Sequence, residues 1–199
     1  MTLNNLAVLF RQRVHGREDQ NLDRAMHLLR LSLRVRTREA GPVEWARTMS
    51  NLGNVLQERK RGDRARNLER AIQAYEQALE VQRLETLPVD WAKTANNLAA
   101  CYSIRRLGDR AENLRRAVDL LTATLRVRRR DTLPLGWAEA HDNLGRVHER
   151  ALQAGVATDP APAVAAYRAA LEVLLEADHG VDVGDGAEPL EDVALLIAD

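Results

Sequence analysis

Four asparagines recur at one interval: Asn5, Asn51, Asn97 and Asn143 stand 46 positions apart. A carboxamide carries one acceptor and two donors. A row spaced this way can hold the backbone of an extended peptide whatever its side chains. The same amides can instead bond neighbouring backbone and stabilise a stack, and both readings stand at this point. Groups suited to covalent or metal chemistry do not gather in the same manner. Cys101 falls at an apolar position next to Tyr102 with no histidine placed near it, so an inert buried thiol is expected. His141 and His148 are seven apart with Gly145 between them, which misses the i, i+4 spacing of helical zinc ligands. The sequence contains no phosphate loop and no Gly-x-Ser-x-Gly elbow. No catalytic set, metal or cofactor is expected.

The asparagines belong to a longer pattern. Pro42, Pro88 and Pro134 share the period, as do Trp45, Trp91 and Trp137. A second series runs in step: Asn21, Asn67, Asn113; Ala25, Ala71, Ala117, Ala163; Val35, Val81, Val127, Val173. A period of this size indicates a stacked array rather than a globule closed around one pocket. Within the unit 88–133, Trp91, Thr94, Ala95, Leu98, Ala99 and Tyr102 follow i, i+3, i+4, i+7 spacing, which predicts a helix. Pro88 suits its first turn, and Gly108-Asp109 breaks it. Leu114, Ala117, Val118, Leu121 and Leu125 predict a second helix, with Asp109 or Asn113 capping its start. Its end is expected near Asp131-Thr132-Leu133, ahead of Pro134.

The fold class that follows is all-α, a solenoid of about four antiparallel helix pairs. The pairs are 1–41, 42–87, 88–133 and a degenerate 134–177. Residues 178–199 form an acidic tail in which Leu190, Val193, Leu196 and Ile197 could make a short capping helix. The first unit lacks the Pro-x-x-Trp opening, which fits either a true start or a segment of a longer protein. It would also leave an apolar end through which copies could pair.

Formal net charge is zero, yet it is unevenly spread. The tail holds seven acids and no Lys or Arg, so residues 1–177 carry 29 bases against 22 acids. Arg13, Arg59 and Arg105 share a phase beside Asp63 and Asp109, which predicts inter-repeat pairs or solvated faces. The cluster Arg126, Arg128, Arg129 and Arg130 is expected at a helix C-terminus, where the dipole favours cations. Nucleic acid is therefore disfavoured as a partner. Trp45, Trp91 and Trp137 are expected in the core. A single cysteine fits a reducing compartment, and no apolar run reaches membrane-span length. No signal peptide is visible, so a cytoplasmic location is expected.

Leu52-Gly53 followed by Ala71, Tyr75 and Ala78 resembles the tetratricopeptide signature. Leu98-Ala99 with Tyr102, Ala117 and Leu121 repeats it, as does Leu144-Gly145 with Ala163, Tyr167 and Ala170. Thr2 to Leu9 looks like the first helix of a kinesin-light-chain type repeat. The Pro-x-x-Trp-Ala and Gly-Asp-Arg-Ala variant looks like arrays of large bacterial proteins that accompany caspase-like (CHAT) protease or signalling NTPase domains. The resemblance implies a non-enzymatic scaffold that binds a protein or peptide in a concave groove lined by first helices. Carried over residue by residue, it implies groove positions at Asn5, Asn51, Asn97 and Asn143, flanked by Arg47, Asn54, Lys93 and Arg146. Arg47 and Lys93 would favour an acidic peptide or a C-terminal carboxylate, though Glu139 interrupts that basic run. The alternative is a regulatory segment of a larger bacterial signalling or caspase-like protease protein.

Overall fold

The computed structural model describes residues 3–13 and 15–179. Among these, eight helices and no strand are present. They divide into two units, Met1–Val127 and Arg128–Asp199. The first holds α1 (Leu3–Gln12), α2 (Glu18–Val35), α3 (Pro42–Glu58), α4 (Arg64–Leu79), α5 (Pro88–Ile104) and α6 (Arg110–Thr124). These are three helix pairs packed in succession, a short helical solenoid. The second unit holds a fourth pair, α7 (Pro134–Gln153) and α8 (Ala161–His179). The expected cap at Leu190 to Ile197 lies outside the described residues.

Local chemistry explains the pairs. Pro42, Pro88 and Pro134 open α3, α5 and α7, where a missing N–H costs nothing. Asp63 accepts from the backbone N–H of Ala65 and Arg66, and Asp109 from that of Glu112. These two acids are thus helix caps. The partner of Arg59 is Asp23 at 2.9 Å, and that of Arg105 is Glu69 at 2.7 Å. The periodic arginines do join one repeat to the next, through acids on the preceding second helix. The turn before each cap needs left-handed backbone, which Gly62 (φ 79°) and Gly108 (φ 77°) supply. Asn67, 5% exposed, donates to the Arg61 carbonyl at 2.9 Å, and Asn113 to that of Leu107 at 2.8 Å. These buried amides satisfy turn carbonyls that water cannot reach.

Three expectations are corrected. The second helix of the 88–133 unit ends at Thr124, well before Asp131. In the preceding unit α4 stops likewise at Leu79, and the chain turns to bury Gln82 at 1% exposure. Burying that amide requires hydrogen-bond partners, which Ser50 and Thr94 provide only once the helix has ended. The basic cluster therefore lies in a turn, not on a helix end. Three of its four charges are met by carboxylates: Arg128 by Glu139, Arg129 by Asp131, Arg130 by Glu172 and Glu176. The tryptophans lie at the rim of the core, half-buried. Trp45 packs on Ala46, Met49, Ala74 and Ala78 beneath Arg38, whose guanidinium sits 5.5 Å from the ring centroid.

Candidate peptide-binding face

In the first unit the first helices α1, α3 and α5 are joined edge to edge by side-chain amides. Asn51 Nδ2 donates to Asn4 Oδ1 at 3.0 Å. Asn97 Nδ2 donates to Asn54 Oδ1 at 2.8 Å. The Tyr75 hydroxyl, from the buried core of the second pair, lies 2.7 Å from the same Asn54 oxygen and 3.0 Å from Gln57 Oε1. Asn51 and Asn97 are therefore each held by one N–H, with carbonyl and second N–H still available, while the Asn4 and Asn54 carbonyls are engaged as acceptors. Asn51, Asn54 and Asn97 are all half-buried.

Of the other positions, Asn5 is exposed on α1, and it is its neighbour Asn4 that meets Asn51. Arg47 donates through Nε to Asp90 at 2.9 Å and so bridges α3 to α5. Lys93 is exposed on α5 and forms no ion pair among the described residues. Asn143 and Arg146 lie on α7 in the second unit, where Arg146 pairs with Asp142 at 3.0 Å. The structure thus brings Asn51, Asn54 and Asn97 together with Arg47, while Asn143 and Arg146 belong to a separate unit.

Sequence reasoning missed a buried polar cluster behind this face. Ser50 and Thr94 hydroxyls are 2.6 Å apart, and Thr94 donates to Gln82 Oε1 at 2.7 Å. Nothing periodic marks it, because the counterparts of Gln82 are Arg36 and Arg128. Asn4 was also missed, one position off the periodic row.

Titratable groups nearby are tuned by burial, away from reactivity. Desolvation, with the Glu69 charge adding to it, pushes the Cys101 thiol up to about 12. A thiolate nucleophile is disfavoured there. Cys101 should resist iodoacetamide at pH 8 in the native chain and react on unfolding in urea, as mass spectrometry would show. Native-state alkylation at the unfolded rate would contradict the buried placement. His141 stacks beside Trp137, centroids 4.0 Å apart, and burial lowers its pKa.

Residues 45–82, which span α3, α4 and the buried Gln82, match the tetratricopeptide repeat family model. This stretch is thus similar to a tetratricopeptide repeat. The adjoining pairs preserve its period on either side. Tetratricopeptide repeats are in general non-enzymatic scaffolds for protein–protein interaction, and that is the role this repeat supports. No curated protein and no solved structure matches the chain. Among the described residues no helix is long and apolar enough to cross a membrane.

Proposed function

We propose that the chain is a cytoplasmic, bacterial interaction scaffold whose first helices bind an extended segment of a partner protein through the asparagine row. The observation that carries this reading is the pair of amide bonds Asn51–Asn4 and Asn97–Asn54. They orient each carboxamide in advance, so a ligand need not bear that ordering cost. Asn51 and Asn97 each keep one C=O and one N–H, which complement one backbone N–H and C=O of a peptide. Packed helices lie roughly 8–10 Å apart. One turn of extended polyproline-II chain, three residues, spans about 9 Å, so each successive amide would meet an equivalent backbone position. Exposed Lys93 adds a preference for acidic residues beside it. Asn5 would extend the row at its α1 end.

The test is a selection of dodecapeptides from a displayed library on the wild-type chain. Asn51→Ala with Asn97→Ala should weaken the selected peptides at least tenfold, about 1.4 kcal/mol, while helical circular dichroism persists. Unchanged affinity in the folded double variant would sink the reading.

The second reading, a regulatory segment of a larger signalling or caspase-like protease protein, is favoured by the likeness of the 46-residue unit to arrays beside such domains. An uninterrupted reading frame joining this segment to such a domain would support it. Pairing of copies through the apolar first unit is open to sedimentation measurement.

A further inference from the structure

A crevice of about 520 Å3 opens within the first unit, between the start of α4 and the end of α5. Leu68, Ile104 and Leu107 supply its apolar lining, with Arg64, Arg106, Gln57 and the Arg105-paired Glu69 beside them. Ile104 and Leu107 keep 37% and 56% of their surface exposed. The 46-residue period supplies an internal comparison. One unit earlier, Arg11, Glu18, Glu58, Lys60 and Arg61 stand at the places of Gln57, Arg64, Ile104, Arg106 and Leu107. There the side chains close on one another. Arg11 pairs with Glu58, Lys60 with Glu18 at 2.9 Å, and Arg61 with Asp23 at 2.8 Å.

In the later crevice each of those pairs has lost a partner. Ile104 and Leu107 replace a carboxylate and a guanidinium, and Arg64 now faces the chemistry of Arg106 with the same sign. Glu69, the counterpart of Asp23, is held by Arg105 at 2.7 Å. Arg64 and Arg106 have no carboxylate partner among the described residues. What the crevice lacks is an apolar side chain to fill it and two carboxylates to meet the guanidiniums.

We propose that this crevice is a second binding site, which takes an acidic peptide segment presenting a leucine-sized side chain between two carboxylates. Apolar burial supplies affinity, and the two arginines supply selection against neutral and basic sequences. The site does not depend on the asparagine row.

The probe is a fluorescein-labelled Ser-Gly-Asp-Leu-Asp-Gly-Ser peptide, titrated with the full chain and followed by anisotropy. Binding is expected to fall at least tenfold in Ile104→Glu with Leu107→Arg, two substitutions at partly exposed positions that should leave the fold intact. Arg64→Gln with Arg106→Gln, on exposed side chains, should give a similar loss. So should Asn in place of both peptide aspartates. Asn51→Ala with Asn97→Ala should leave this binding unchanged. The proposal is overturned if the peptide does not bind, or if both crevice variants bind as tightly as the native chain. It is overturned equally if only the asparagine variant loses binding, which would place the peptide on the other face.

Discussion

Gly53→Ala should destabilise the chain by about 3 kcal/mol, the upper end of overpacking costs in a tight core. A Cβ at Gly53 would sit 2.5 to 2.8 Å from three ring carbons of Tyr75. That ring is fully buried and its hydroxyl is engaged by Asn54 and Gln57, so it cannot swing aside. The better helix propensity of alanine, about 1 kcal/mol, offsets only part of the clash. Gly145 meets Tyr167 in the same way, at 2.6 to 2.8 Å. The other two units solve the same contact with Ala99 and Leu121, and with Ala7 and Leu29, all buried. A small ring-accepting glycine and a large ring alternate with a methyl and a leucine at one structural position. Adding Tyr75→Leu to Gly53→Ala should therefore recover much of the loss. Urea unfolding of the two single variants and the double closes the cycle. Strict additivity of the two changes would refute the volume argument.

Replacing Gln82 by methionine, near in shape, should cost about 2 kcal/mol, the scale for stripping partners from buried polar groups. Gln82 is 1% exposed and Thr94 2%, and the Thr94 hydroxyl donates to the Gln82 carbonyl oxygen. Ser50, on α3, touches both. The cluster is where α3, α5 and the chain leaving α4 meet, so its loss should loosen the spacing of the Asn54–Asn97 amides as well as the fold. Amide hydrogen exchange in the first turns of α5 reports that loosening. Stability within about 0.5 kcal/mol of the native chain, the range of ordinary surface changes, would mean that the hydroxyls re-pair without Gln82.

The period of 46 was sufficient for the helices, because each unit repeats the same apolar spacing, proline start and Gly-Asp turn. Asp109 as a cap and Gly108-Asp109 as the helix break were legible for the same reason: the signals are local. Helix ends were not. The spacing of Leu114 to Leu125 continues smoothly into Val127, although α6 stops at Thr124. Partners were not legible either. Arg59 and Arg105 were visible as a series, but their acids, Asp23 and Glu69, lie 36 residues back on another helix.

By itself the sequence determined an all-helical chain of paired helices with a stretch similar to a tetratricopeptide repeat and its asparagines in one register. Periodic residues occupy equivalent places by necessity, so their identity is readable without coordinates. Only the tertiary structure decided what each asparagine touches: Asn51 reaches Asn4, one position off the row, and Asn97 reaches Asn54. It also decided that two crevices of the same register differ, one closed by ion pairs and one left open. Those outcomes depend on side chains that break the repeat, and their effect exists only where neighbouring helices bring them within a few ångströms.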